Sequence, residues 1–173
     1  MKTVHNTETI DFAKLALERN DEAIRFSEAK AGFITTLIGL LLGLFADKLS
    51  MFIDILSSNN STLRLFSYVS IVLLVIGTVV AIVSTFFVLL PRLKISKRSS
   101  FLYFGSIGNI SEDEFLQKFI ETDTVDMQNH LLSQVHATSV IAKKKFFYAR
   151  IEMIGAFIML SGWLLALSLL MVF

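Results

Sequence analysis

The sequence contains no cysteine, which removes disulfides, thiolate-held zinc, iron–sulfur clusters and thiol catalysis from consideration. It has one proline, Pro91, so nothing interrupts a helix over long stretches on either side of that position. Charge is scarce as well. Asp, Glu, Lys and Arg make up 18% of the 173 residues, against about 25% in an ordinary soluble domain. Several enzyme signatures are missing: G-x-S-x-G, the P-loop, H-E-x-x-H and G-x-G-x-x-G. His130 and His136, six apart on a predicted helix, point to different faces rather than to one metal. The acidic run Glu112-Asp113-Glu114 has no nearby His or further carboxylate to complete a ligand set. Neither a catalytic nor a metal site is therefore expected. The start of the chain, "MKTVHNTETIDFAK", is polar and has no apolar h-region, so no cleavable signal peptide is expected.

What the chain has in excess is apolar sequence. Hydrophobic residues reach 54%, and the mean hydropathy is +0.65. They fall in blocks, the pattern of membrane spans. Residues 31–46 are uncharged, at the short edge of the roughly 17–25 residues usual for a span, and a snorkelling Lys30 could extend them. Residues 65–90 are uncharged, rich in Val and Ile, and long enough to cross with tilt before Pro91. Residues 153–173 form a third uncharged run that carries Trp163. The expected fold is thus an all-α membrane protein with three transmembrane helices. Because these spans contain no His, Asp or Glu, an intramembrane hydrolase is disfavoured.

Orientation follows from Lys and Arg. Between the first two spans lie only Lys48 and Arg64, while the other fourteen of the 16 basic residues lie on the opposite side. The N-terminus and residues 91–152 are therefore expected in the cytoplasm. The connection 47–64 reads as a short interfacial amphipathic piece and a polar turn, with a solvated loop preferred. A net charge of +1 gives no sign of nucleic-acid binding, and no such partner is expected.

Two stripes organise the cytoplasmic part. Ile10, Ala13, Leu17, Ile24 and Ala31 recur at helical spacing over residues 8–30, with Asn6 or Thr7 as cap. Met127, Leu131, Val135, Thr138, Ala142, Phe146, Ala149 and Met153 form the second stripe, on a helix started by Asp123 or Thr124. The two helices are expected to pack on each other and to continue into the first and third spans, making residues 1–30 and 91–152 a small helical domain. Asn20 interrupts the first stripe, either as a polar residue that sets register or as a group facing a pocket. Between the stripes, Ser111 and Glu114 fit a capping box for a short helix to about Glu121, with Phe115, Leu116, Phe119 and Ile120 facing inward. The preceding "FLYFGSIGN" has an extended, aromatic, glycine-bearing composition. Such a loop can close over the helix pair, or stack on a planar ring and offer backbone N–H groups to an anion. The basic runs "RLKISKR" and "KKKFFYAR" suit anchoring at anionic lipid or contact with a phosphate. Glu28 and Lys30 lie at the edge of the first span, where charge is costly unless paired or hydrated.

Three stretches carry a family resemblance: "RFSEAKAGFITTLIGLLLGLF", "LYFGSIGNISEDEFLQKF" and "LLSQVHATSVIAKKKFFYAR". In this order, and at these positions relative to the spans, the chain from about residue 12 onward resembles the transmembrane effectors of Pycsar antiphage systems, relatives of SLATT-type membrane effectors. Where that family usually has Asp-x-Lys-Ala, this chain has Glu28-Ala29-Lys30-Ala31, which keeps the charge and lengthens the arm. The resemblance implies a non-enzymatic effector of the bacterial inner membrane, with no cofactor and with cUMP or cCMP as its activating ligand. An upstream nucleotide cyclase would make that ligand during infection. The effector would then form a homo-oligomer and impair the bilayer, an abortive response. For a cyclic mononucleotide, Lys30, Arg98 or Lys145 could meet the phosphate and Tyr103 or Phe104 could stack. Gly105 lies in the loop that could offer N–H groups, Asn20 or Gln134 could read the base edge, and Glu28 is a further candidate. Gly39-x-x-x-Gly43 in the first span suits self-association. Two alternatives remain at this level: a SLATT-type pore former gated by a partner protein, and a non-gated membrane scaffold.

Overall fold

The structure is a computed structural model that describes residues 2–90 and 107–172, with side chains from residue 8 onward. Its described residues fold into five helices: α1 (Lys2–Asp47), α2 (Leu49–Leu56), α3 (Ser61–Leu89), α4 (Glu112–Glu121) and α5 (Thr124–Val172). Three of them, α1, α3 and α5, contain windows long and apolar enough to cross a membrane. Their outward faces carry Phe33, Leu40, Leu65, Val75, Phe86 and Phe157, all well exposed, as spans immersed in hydrocarbon require. The chain is an all-α membrane protein.

Local chemistry sets the helix ends. Asn60 caps α3 by accepting from the N–H groups of Thr62 at 3.0 Å and Leu63 at 3.4 Å. Ser111 Oγ accepts from the Glu114 N–H at 3.3 Å and caps α4, whose first turn carries Glu112, Asp113 and Glu114 against the positive end of the helix. Only half of the predicted capping box forms, because the Glu114 carboxylate turns to Lys118 one turn on. Asp123 Oδ1 accepts from the Asp126 N–H at 2.7 Å and starts α5. At the other end of the chain α1 already includes Asn6 and Thr7, so neither caps it. Gly32 does not interrupt α1, and no proline falls within α1 or α5, so each runs unbroken.

The chain divides into two compact units, Met1–Phe26 with Pro91–Lys144 and Ser27–Leu90 with Lys145–Phe173. The second unit contains the span bundle, and its buried residues form three clusters. One joins Ala31, Val88 and Ala149. A second holds Ile38, Leu74, Ala81 and Met159, with Phe45 and Trp163 against them. The third places Phe52 and Ile55 of α2 against Ala166 and Leu169 of α5. The connection 47–64 is thus not merely a solvated loop. Its helix α2 is strongly amphipathic and inserts Phe52 and Ile55, both fully buried, under the bundle end.

Helices α3 and α5 meet on small residues. The buried face of α3 reads Ser67, Ser70, Leu74, Gly77, Ala81, Ser84, Thr85 and Val88. A methyl added at Gly77 would strike the Met159 backbone, and one at Gly155 would lie 2.6 Å from the Ala81 nitrogen. Gly162 faces Leu74 and the Ser70 carbonyl in the same way, and Ser70 Oγ donates to the Gly162 carbonyl at 2.9 Å. In lipid, where apolar burial drives helices together only weakly, such close backbone approach supplies the packing. Cβ atoms added at Gly32, Gly39 and Gly43 would meet nothing within 4 Å among the described residues, so these first-span glycines form no such contact there.

In the first unit, the early part of α1 buries Ala13, with Ile10, Leu17 and Ile24 half-buried beside it, which is the predicted stripe. Helix α4 departs from expectation. None of its residues is buried, and Ile120 is 81% exposed, so Phe115, Leu116, Phe119 and Ile120 do not form an inner side among the described residues.

Candidate functional site

The most ordered polar chemistry in the span bundle is an ion pair. Lys145 projects from α5 and is 3% exposed; its Nζ donates to Glu28 Oε1 at 2.6 Å and to the Val88 carbonyl. A buried ammonium requires such partners, because desolvation costs several kcal/mol per ion. Glu28 is 39% exposed and remains open to water on one side. One residue from each of α1, α3 and α5 therefore converges on a single Nζ, where "VLLPR" ends one span and "AKKKFF" precedes another. Phe87 and Tyr148 stack in the same unit at 4.8 Å with their planes 20° apart.

A second polar cluster lies among the same three helices. Thr85 Oγ1 donates to Glu152 Oε1 at 2.8 Å and lies 3.1 Å from Thr35 Oγ1. Glu152 is completely buried, and its Oε2 has no hydrogen-bond partner among the described residues. Glu152 falls just outside the uncharged run 153–173, two residues after Arg150, so hydropathy does not single it out. The available signal was a lone carboxylate between the buried positions Ala149 and Gly155.

In the first unit, Asn20 ties α1 to α5. Its Nδ2 lies 3.1 Å from Thr138 Oγ1, 2.8 Å from Ser139 Oγ and 3.1 Å from the Val135 carbonyl. Both hydroxyls have their own protons directed at carbonyls one turn back, Thr138 at Gln134 and Ser139 at Val135. Their oxygens are therefore free to accept, and the two amide hydrogens of Asn20 match them. This geometry fixes the register of the two helices. Replacing Asn20 with Ala is expected to cost about 1–2 kcal/mol by leaving those acceptors without a donor. A thermal melt should show a fall of several degrees, with the spans still folded.

An apolar cavity of about 250 Å³ opens in the same unit between Ile10 and Lys14 of α1, Phe119 and Thr122 at the end of α4, and Met127 and Leu131 of α5. Ligand pockets usually span roughly 300–1,000 Å³, so this one suits a small ligand. Phe119 supplies an aromatic wall and Lys14 part of the lining, while the Lys14 Nζ lies 3.7 Å from Asp11 Oδ1. Of the residues singled out for binding from the sequence, the five that the structure describes, Asn20, Glu28, Lys30, Gln134 and Lys145, do not line it. Asn20 and Gln134 instead belong to the helix seam, Gln134 being nearly buried. Glu28 and Lys145 hold each other. Lys30 borders a different apolar groove in the span bundle, with Phe33, Leu37, Met153 and Phe157. Arg98, Tyr103, Phe104 and Gly105 lie outside the described residues, as does the extended aromatic segment expected at 101–104. His130 borders the cavity, whereas His136 is exposed.

Searches of curated proteins and of solved structures gave no match. The model of the Pycsar effector protein domain, by contrast, matches residues 12–172. That span takes in the Asn20 seam, the Lys145–Glu28 pair, all of the cavity lining but Ile10, and nearly all of the three apolar helices. The chain belongs to the Pycsar effector family, and is a membrane effector of antiphage defence.

Proposed function

We propose that the protein is an inner-membrane effector gated by a cyclic pyrimidine mononucleotide, cUMP or cCMP, that self-associates and breaches the bilayer when the nucleotide binds. The family match over nearly the whole chain carries this reading. The cavity bounded by Phe119 supports it, since a cyclic nucleotide needs a stacking surface for its base. Helices α1 and α5 each contribute to both units without a break. Ligand-induced rotation of either helix is therefore a means of biasing the spans between two packings. The open face around Gly39 and Gly43 suits contact with a second copy. On this reading the N-terminus and the segment following α3 are cytoplasmic, where an upstream cyclase would deliver the ligand.

Purified protein should melt several degrees higher with cUMP or cCMP, and Phe119→Ala should abolish most of that shift without lowering the ligand-free melting temperature. Equal melting curves with and without either nucleotide would count against the reading.

A further inference from the structure

Glu152 holds more chemistry than its place in the fold uses. As a link between helices it needs only Oε1, which accepts from Thr85 and, through Thr85, connects to Thr35 of α1. A glutamine would accept the same hydrogen bond. What a carboxylate adds is charge and a second oxygen, and Oε2 has no partner among the described residues although the side chain is fully buried. Charged side chains inside membrane bundles are costly, and they characteristically line ion paths.

Among the described residues no ion pair neutralises it. Lys145, seven residues earlier on α5, is committed to Glu28 and the Val88 carbonyl. Helix α3 brings only hydroxyls and apolar groups to this end, since Arg64 sits in its first turn. From α1 the charge of Lys30 reaches Glu152, but no ion pair joins the two among the described residues. The result is a buried carboxylate beside two hydroxyls, one group from each of the three long helices α1, α3 and α5. Carboxylate and hydroxyl oxygens are hard donors suited to alkali cations.

We propose that Glu152, with Thr35 and Thr85, is the cation-selecting group of the membrane lesion, exposed to the permeating ions when the spans rearrange. This rests on the reading of the protein as a nucleotide-gated membrane breach. In the resting packing Thr85 holds Oε1, and the site is closed to water. In the open packing the carboxylates of several copies would attract K⁺ and Na⁺ and repel Cl⁻.

The test is the reversal potential across a planar bilayer containing the full chain, under a KCl gradient, with cUMP or cCMP added. Wild-type protein should favour K⁺ over Cl⁻. Glu152→Gln should lower that permeability ratio by about tenfold. Glu152→Asp should keep the preference, which separates charge from a purely structural role, and Thr35→Val should weaken it. A wild-type conductance that does not discriminate between K⁺ and Cl⁻ would overturn this proposal alone, as would a glutamine variant of unchanged selectivity. No conductance with either nucleotide would overturn the gating reading beneath it.

Discussion

Gly77→Val is expected to leave little folded protein in detergent or membrane. The valine Cβ would collide with the Met159 backbone and approach the Gly155 carbonyl at 2.7 Å, and neither atom can swing aside as a side-chain tip could. Helices α3 and α5 would have to separate, and several contacts depend on their proximity: the Ser70–Gly162 hydrogen bond, the cluster of Leu74, Ala81 and Met159, and the Thr85–Glu152 link. Overpacking by inserted methylenes commonly costs about 1–3 kcal/mol where side chains can adjust, and a clash against backbone exceeds that range. Gly155→Val should behave alike, since its Cβ would meet Ala81 and the Gly77 carbonyl. Gly43→Val, with nothing within 4 Å of its Cβ, should leave the monomer folded. Monodisperse yield and melting temperature of the three variants provide the check.

The second large effect concerns Lys145 and Glu28, and it is asymmetric. Glu28→Ala removes the counter-ion from a buried ammonium and leaves the Val88 carbonyl as its remaining partner. Breaking a buried pair in this way costs about 3–5 kcal/mol, and water reaching the Glu28 side should hold the value near the lower end. Lys145→Met is milder. It leaves a carboxylate that is already 39% exposed and can hydrate, while the methionine stem fills the same channel. The double variant Glu28→Ala/Lys145→Met should recover most of the loss from Glu28→Ala alone. Equal losses in the two single variants, or purely additive losses in the double, would show that the pair is not a coupled unit.

Much of the fold follows from local sequence chemistry. The three uncharged runs lie in the three helices long and apolar enough to cross a membrane, Ser111 caps α4 as expected, Asp123, one of two expected starts, caps α5, and the spacing of Ile10, Ala13, Leu17 and Ile24 marks the inward face of α1. The inward face of α5 was harder to read. Of the stripe expected from hydrophobicity, Ala142 and Ala149 are buried and Leu131, Val135, Thr138 and Met153 half-buried, but Met127 and Phe146 are exposed, and Gln134, Lys145 and Glu152 are buried as well. In water, apolar residues sort to the inside of a helix pair. Beside lipid that rule loses its force, because hydrocarbon solvates Phe146 as well as a protein interior does, and small or hydrogen-bonding groups take the interface. The same reversal explains why Gly39-x-x-x-Gly43, which matches a familiar spacing, faces open space while Gly77, Gly155 and Gly162 make the contacts.

The binding residues proposed from sequence were chosen by residue type, without regard to prior commitments. Asn20 interrupts the apolar stripe of α1, and the structure gives its amide to Thr138 and Ser139. Lys145 is likewise held in place by Glu28 and Val88 rather than left at the surface. Spacing could not reveal the cavity beside Phe119, because its wall combines the end of α4 with residues more than a hundred positions away on α1.

Under the proposed function, binding of a cyclic pyrimidine nucleotide converts this chain from a quiet membrane protein into a breach of the bilayer. The most direct test uses sealed liposomes carrying the purified full-length chain and loaded with a self-quenched dye. Addition of cUMP or cCMP should release the dye within minutes, while cAMP and protein-free liposomes should show no release. Retention of dye with every cyclic nucleotide, or equal leakage before any is added, would contradict the account.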